Sequence, residues 1–80
     1  MKKSYDYANI QNGYAAIAHA EEGAKFLVCY MFGGNTLYTV GRRGSSKKVL
    51  RSEGDYRGHV ITGPASVKKI LGAPRVIEEA

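Results

Sequence analysis

The stretch from Ala24 to Gly44, AKFLVCYMFGGNTLYTVGRRG, constrains the fold more than any other part of the chain. Lys25 to Phe32 alternates as a strand, with Phe26, Val28, Tyr30 and Phe32 on one side and Leu27, Cys29 and Met31 on the other. Both sides are apolar, as in a strand covered on two faces. Gly33-Gly34-Asn35 supplies the positive φ angles of a tight hairpin turn. Thr36 to Val40 then returns, rich in β-branched and aromatic residues. An antiparallel hairpin is the predicted centre of a sheet. Helices can cover one of its faces. The other needs a second layer or a second copy of the chain, so a homodimer is expected.

On the N-terminal side, Tyr7, Ile10, Tyr14 and Ile17 recur at spacings of three and four, and alanine fills positions 15, 16, 18 and 20. This predicts a helix within residues 4–22 that ends before Gly23. Asn12-Gly13 is a turn dipeptide, so a helix starting only there, with Asn12 as N-cap, is a second reading, and a strand over 14–21 is the rival. On the C-terminal side, Gly41 to Ser46 reads as a loop and Lys47 to Ser52 as a third strand or a short helix. Glu53-Gly54-Asp55 reads as a turn, and Tyr56 to Ile61 as a stretch ending in a strand. Pro64 fits a first helical position after Thr62 or Gly63, with Val67, Ile70 and Leu71 as the apolar stripe and Gly72 and Pro74 as stops. Val76-Ile77 reads as an edge strand. The predicted fold is α+β, a small antiparallel sheet of three or four strands with an N-terminal and a C-terminal helix packed on one face. Residues 1–80 form one domain, since 80 residues leave no room for a second core.

With 44% hydrophobic and 24% charged residues, the chain has enough apolar material for a core. Cys29 is the one cysteine, so no internal disulfide forms and no zinc framework is present, which suits a reducing compartment. The two N-terminal lysines precede no apolar segment of signal-peptide type, and Phe26 to Phe32 is too short to span a bilayer. A cytoplasmic location without membrane association is expected, and no cofactor or metal site is predicted.

Charge is segregated. Twelve basic residues stand against seven acidic ones, a net charge of +5, and no acid occurs between Gly23 and Ser52. That acid-free run carries Lys25, Arg42, Arg43, Lys47, Lys48 and Arg51. In Gly41-Arg42-Arg43-Gly44-Ser45-Ser46-Lys47-Lys48, glycines expose backbone N–H groups, hydroxyls donate and four cations surround them, a composition that fits a phosphate. The P-loop pattern is absent. Gly41, Gly44, Ser46, Lys47 and Lys48 resemble the loop and helix start of double-stranded RNA-binding domains, which implies contact with an RNA backbone. The likeness is confined to this short stretch, because VLRSEGDYRG stands where that family has an alanine-rich helix. The bland alternative is a charged hairpin loop that keeps a sheet edge soluble.

Tyrosines lie near cations: Tyr5 and Tyr7 near Lys2 and Lys3, Tyr38 before Arg42, and Tyr56 beside Arg57. Such rings stack on unpaired bases or anchor protein interfaces. His19 and His59 are isolated, and no nucleophile–base or metal spacing is visible, so no catalytic residue is assigned and the chain is not expected to be an enzyme. The expected function is a non-catalytic basic binding module that contacts the RNA or DNA phosphate backbone. Its site residues are Tyr38, Arg42, Arg43, Ser45, Ser46, Lys47, Lys48, Arg51 and Arg57. The alternative is a small protein-binding inhibitor or adaptor of phage or mobile-element type, such as an anti-CRISPR-like protein, which chains of this size resemble in general type. It would dock on an acidic protein or a nucleoprotein complex. One continuous positive face with a tyrosine would favour nucleic acid; a scattered field would favour a protein partner.

Overall fold

A computed structural model describes residues 4–7, 9–44 and 46–79. It contains β1 (Ser4–Tyr7), α1 (Ile10–His19), β2 (Lys25–Cys29), β3 (Asn35–Arg43), β4 (Lys47–Ser52), β5 (His59–Val60), α2 (Pro64–Leu71) and β6 (Arg75–Glu79). The strands form one sheet of six in the order β1-β6-β2-β3-β4-β5, and every neighbouring pair is antiparallel. The α+β class holds, with a sheet three times the size of the central hairpin. The predicted three or four strands are corrected to six.

Cross-strand partners share a face, so the register assigns each side chain to one side of the sheet. Phe26, Val28, Val40, Leu50 and Val76 lie on one face, where they are buried with Tyr14, Ile17 and Ala18 of α1 and Val67 and Leu71 of α2. Both helices therefore pack on that face. The opposite face carries Lys25, Leu27 and Cys29 from β2, Leu37 and Thr39 from β3, and Arg75, Ile77 and Glu79 from β6. No helix covers it among the described residues.

Several boundaries differ from the sequence expectation. Ser4 to Tyr7 is a strand, pairing along β6 from Glu79 to Val76. Tyr7 thus leaves the helical stripe, and α1 starts behind Asn9, whose side chain accepts the Gln11 N–H at 3.0 Å. Asn12-Gly13 sits within α1, not in a turn. Gly13 is there because helix and sheet nearly touch: an added Cβ would stand 3.1 Å from the Val76 Cβ and 3.3 Å from that of Tyr7.

Strand β2 ends at Cys29 instead of Phe32. The Tyr30 N–H donates to the Gly34 carbonyl and the Gly33 N–H to the Tyr30 carbonyl, both at 3.1 Å, which closes a turn over Met31, Phe32 and Gly33. Phe32 and Met31 project from it, 100% and 80% exposed. The predicted strand start at Thr36 moves to Asn35, which pairs with Cys29. β6 is not an edge strand; it lies between β1 and β2. α2 follows its punctuation, with Gly63 as N-cap, Pro64 opening the helix and Gly72 closing it.

Candidate functional site

The predicted loop at Gly41 to Ser46 is for the most part a hairpin arm. β3 runs on through Gly41, Arg42 and Arg43, and β4 begins at Lys47. Among the described residues only Gly44, with φ of 65°, and Ser46 are left for the turn. β2 pairs with β3 only as far as Thr39, with Val40 held by the Ala24 carbonyl at 2.9 Å. The rows Gly41–Val49, Arg42–Lys48 and Arg43–Lys47 therefore extend past β2.

Strand alternation sends the arm's cations in two directions. Arg42 and Lys48 are partners in the register and share the helix side with Val40 and Leu50. Arg42 pairs with Glu22 at 3.4 Å. Lys48 Nζ donates to the Ala18 carbonyl at 2.9 Å, placing its charge at the C-terminal end of α1, where the helix dipole favours a cation. Tyr38 is also on this side. Its ring packs against the core and its hydroxyl lies 2.9 Å from that of Tyr30. Burial first, and that bond second, push its pKa up.

Arg43, Lys47 and Arg51 emerge on the helix-free face. Arg43 Nη2 donates to the carbonyls of Arg57 at 2.5 Å and Gly58 at 3.5 Å. To reach them the side chain crosses β4 near Val49, which is fully buried although it belongs to this face. Arg51 runs the other way, its Nη2 3.4 Å from the Arg42 carbonyl. Arg51 Nε is buried there without a hydrogen-bond partner, whereas Arg43 is exposed. Lys47 is exposed, and Arg57 stands in the exposed turn that Arg43 grips.

That turn is ordered by Asp55. Its Oδ1 accepts the N–H groups of Arg57 at 3.0 Å and Gly58 at 2.9 Å. The Gly58 bond, then that of Arg57, hold the Asp55 carboxyl below its ordinary pKa. Tyr56, 92% exposed, sits at the top of the turn. Arg43, Lys47, Arg51, Arg57 and Tyr56 thus form one neighbourhood on and beside the helix-free face.

Of the residues predicted from sequence, Arg43, Lys47, Arg51 and Arg57 come together there. Tyr38, Arg42 and Lys48 turn to the other face. Ser46 is exposed in the turn of the arm, and Ser45, like Lys2 and Lys3, lies outside the described residues. Lys25 and Tyr56 were not singled out as site residues. Lys25 reaches the same face through the register Lys25–Thr39–Arg51. The alternation Lys47-Val49-Arg51 was the available signal for this split once 47–52 is read as a strand.

At the opposite edge, Asp6 and Arg75 form an ion pair on the helix-free face, with Arg75 Nε 3.1 Å from Asp6 Oδ1. The Arg75 side chain holds the Asp6 carboxyl below its ordinary pKa. Tyr7, whose hydroxyl donates to Glu78 at 2.8 Å, is pushed up to about 12 by burial and then by that bond. His19 and His59 are both exposed, and Cys29 is a half-buried free thiol. Among the described residues no group of three or more His, Cys, Asp or Glu gathers as a metal site, and no helix is long and apolar enough to cross a membrane. Comparison with known proteins finds no matching family model, curated protein or solved structure.

Proposed function

We propose that the chain is a non-catalytic, cytoplasmic binding module that contacts the phosphate backbone of nucleic acid through the β3–β4 arm. The observation that carries this reading is the register of the acid-free run. It sets Arg43, Lys47 and Arg51 on a face that no helix covers, with Arg57 held beside them by Arg43. Arg43 spends Nη2 on the turn carbonyls, and its other guanidinium donors suit phosphate oxygens, which accept such donors in pairs. With Tyr38 turned into the core side, base stacking at the arm falls to Tyr56, so recognition rests on charge more than on sequence. RNA and DNA strands are both substrates for a site of this kind.

The test is a gel shift with single- and double-stranded RNA and DNA at about 50 mM salt, where a site with several phosphate contacts binds most tightly. A shift that Arg43→Gln with Lys47→Gln removes supports the reading. No shift with any of the four nucleic acids ends it.

A second reading is favoured by a different end of the molecule. Met31 and Phe32 stand in water at the tip of the β2–β3 turn, and large apolar side chains on a protruding turn suit insertion into a protein pocket. On that reading the chain is a small inhibitor or adaptor of phage or mobile-element type. Capture of one defined protein partner, unaffected by nuclease and lost in Phe32→Ala, would select it.

A further inference from the structure

The helix-free face of the sheet is divided into two unlike halves. On it, β1, β6 and β2 carry Asp6, Glu79, Arg75 and Lys25, so both of its strand-borne acids are here. The half made of β3 and β4 carries Arg43, Lys47 and Arg51 and no acid within its strands; Glu53 and Asp55 follow in the turn beyond β4. Across the middle runs an apolar row in strict register, Ile77–Leu27–Leu37, with Cys29 beside it. Leu37 is 37% exposed, and Leu27, Cys29 and Ile77 are half-buried.

We infer that this face is covered by a second copy of the chain, stacked sheet on sheet. The strand order places the midline between β2 and β3, with three strands on each side. A two-fold axis parallel to the strands along that midline lays β2 on the partner's β3, β6 on its β4 and β1 on its β5. Row by row, the register then sets Leu27 over Leu37, Lys25 over Thr39 and Glu79 over Arg51. The two leucine contacts are related by symmetry, as are the two Glu79–Arg51 pairs, as an isologous interface requires. Stacked sheets lie about 10 Å apart with strands about 30° from parallel, which leaves room for these side chains to meet. The alternative two-fold, perpendicular to the strands, lays β4 on β4 and opposes its cations to one another.

The dimer rests on the sheet's register and not on the nucleic-acid reading. It has two consequences for that reading: Arg51 faces the second copy, which leaves Arg43, Lys47 and Arg57 for phosphate, and both arms leave the dimer at the same end, with Arg43 and Lys47 of the two copies flanking one gap.

Size-exclusion chromatography with light scattering tests it directly. The native chain is expected at twice its 8.7 kDa mass. Leu37→Glu, a change at a position exposed in the single chain, is expected to give the single-chain mass with an unaltered circular dichroism spectrum. Arg51→Glu and Glu79→Arg should each raise the dimer dissociation constant at least tenfold, and the two together should restore it. A native chain of single mass at every concentration overturns the inference. So does a dimer unmoved by Leu37→Glu or by either charge reversal. Nucleic-acid binding by a single-mass native chain would sink the dimer and leave the arm reading standing.

Discussion

Single residues here hold the site's shape through main-chain contacts. Gly58 adopts φ of 69°, and a Cβ added to it would stand 2.7 Å from Arg51 Cγ and 3.2 Å from the Leu50 carbonyl oxygen. The arginine can move; the carbonyl cannot. Gly58→Ala should therefore destabilise by about 2 kcal/mol, combining left-handed backbone strain with overpacking, as read from urea unfolding. An unchanged midpoint would mean that the turn does not hold this conformation.

Asp55 gives a pH dependence of defined sign. Its pKa is lower folded than unfolded because the carboxylate accepts two backbone N–H groups. Asp6 is lowered as well, by Arg75. Groups of this kind add stability above the ordinary carboxylate pKa, and that stability is lost as pH falls through the folded value. The melting temperature should thus drop between roughly pH 5 and pH 2, the range in which such carboxylates protonate. Asp55→Asn, which keeps an acceptor oxygen but cannot titrate, should make that decline shallower. An identical decline in both proteins would contradict the role given to Asp55.

At the scale of elements, α1 and β6 meet at a position where only hydrogen fits. Alanine is the better helix former by about 1 kcal/mol, so Gly13→Ala in an open helix would stabilise. Here the new methyl group meets the Val76 Cβ at 3.1 Å, and both atoms are fixed to backbone. Gly13→Ala is expected to lower stability by about 1 kcal/mol, and Gly13→Val by more. A rise in melting temperature for Gly13→Ala would show that helix and sheet separate easily.

Elements with strong local punctuation were legible in the sequence. α2 announced itself through Pro64, its Val67–Leu71 stripe and Gly72, and the β2–β3 hairpin through its alternation. β1 was hidden because Ser4 to Asp6 face water in an edge strand, leaving Tyr7 to look like the first member of a helical stripe. β6 looked like an edge because nothing local tells a strand that its second neighbour will be β1, whose partner residues lie some seventy positions away in the register. The site was half legible. Charge segregation marked the arm, but calling 41–46 a loop hid the alternation that sends Arg42 and Lys48 to one face and Arg43 and Lys47 to the other.

For the whole molecule, a net charge of +5 on 80 residues is a modest field, and its placement matters more than its size. On the helix-free face the acids stand in β1 and β6, and the cations of β4 have none opposite them within the sheet. On the proposed reading a polyanion at the arm meets Arg43, Lys47 and Arg57 together, and counterions are released for each phosphate they neutralise.

The central claim is this phosphate contact, and fluorescence anisotropy of a labelled duplex titrated across salt concentrations tests it most directly. Three phosphate contacts, from Arg43, Lys47 and Arg57, predict that the logarithm of the binding constant falls against the logarithm of salt with a slope of about −3. Arg43→Gln with Lys47→Gln should make that slope shallower by about 2. Binding that ignores salt, or a slope that the double substitution leaves unchanged, would contradict the account.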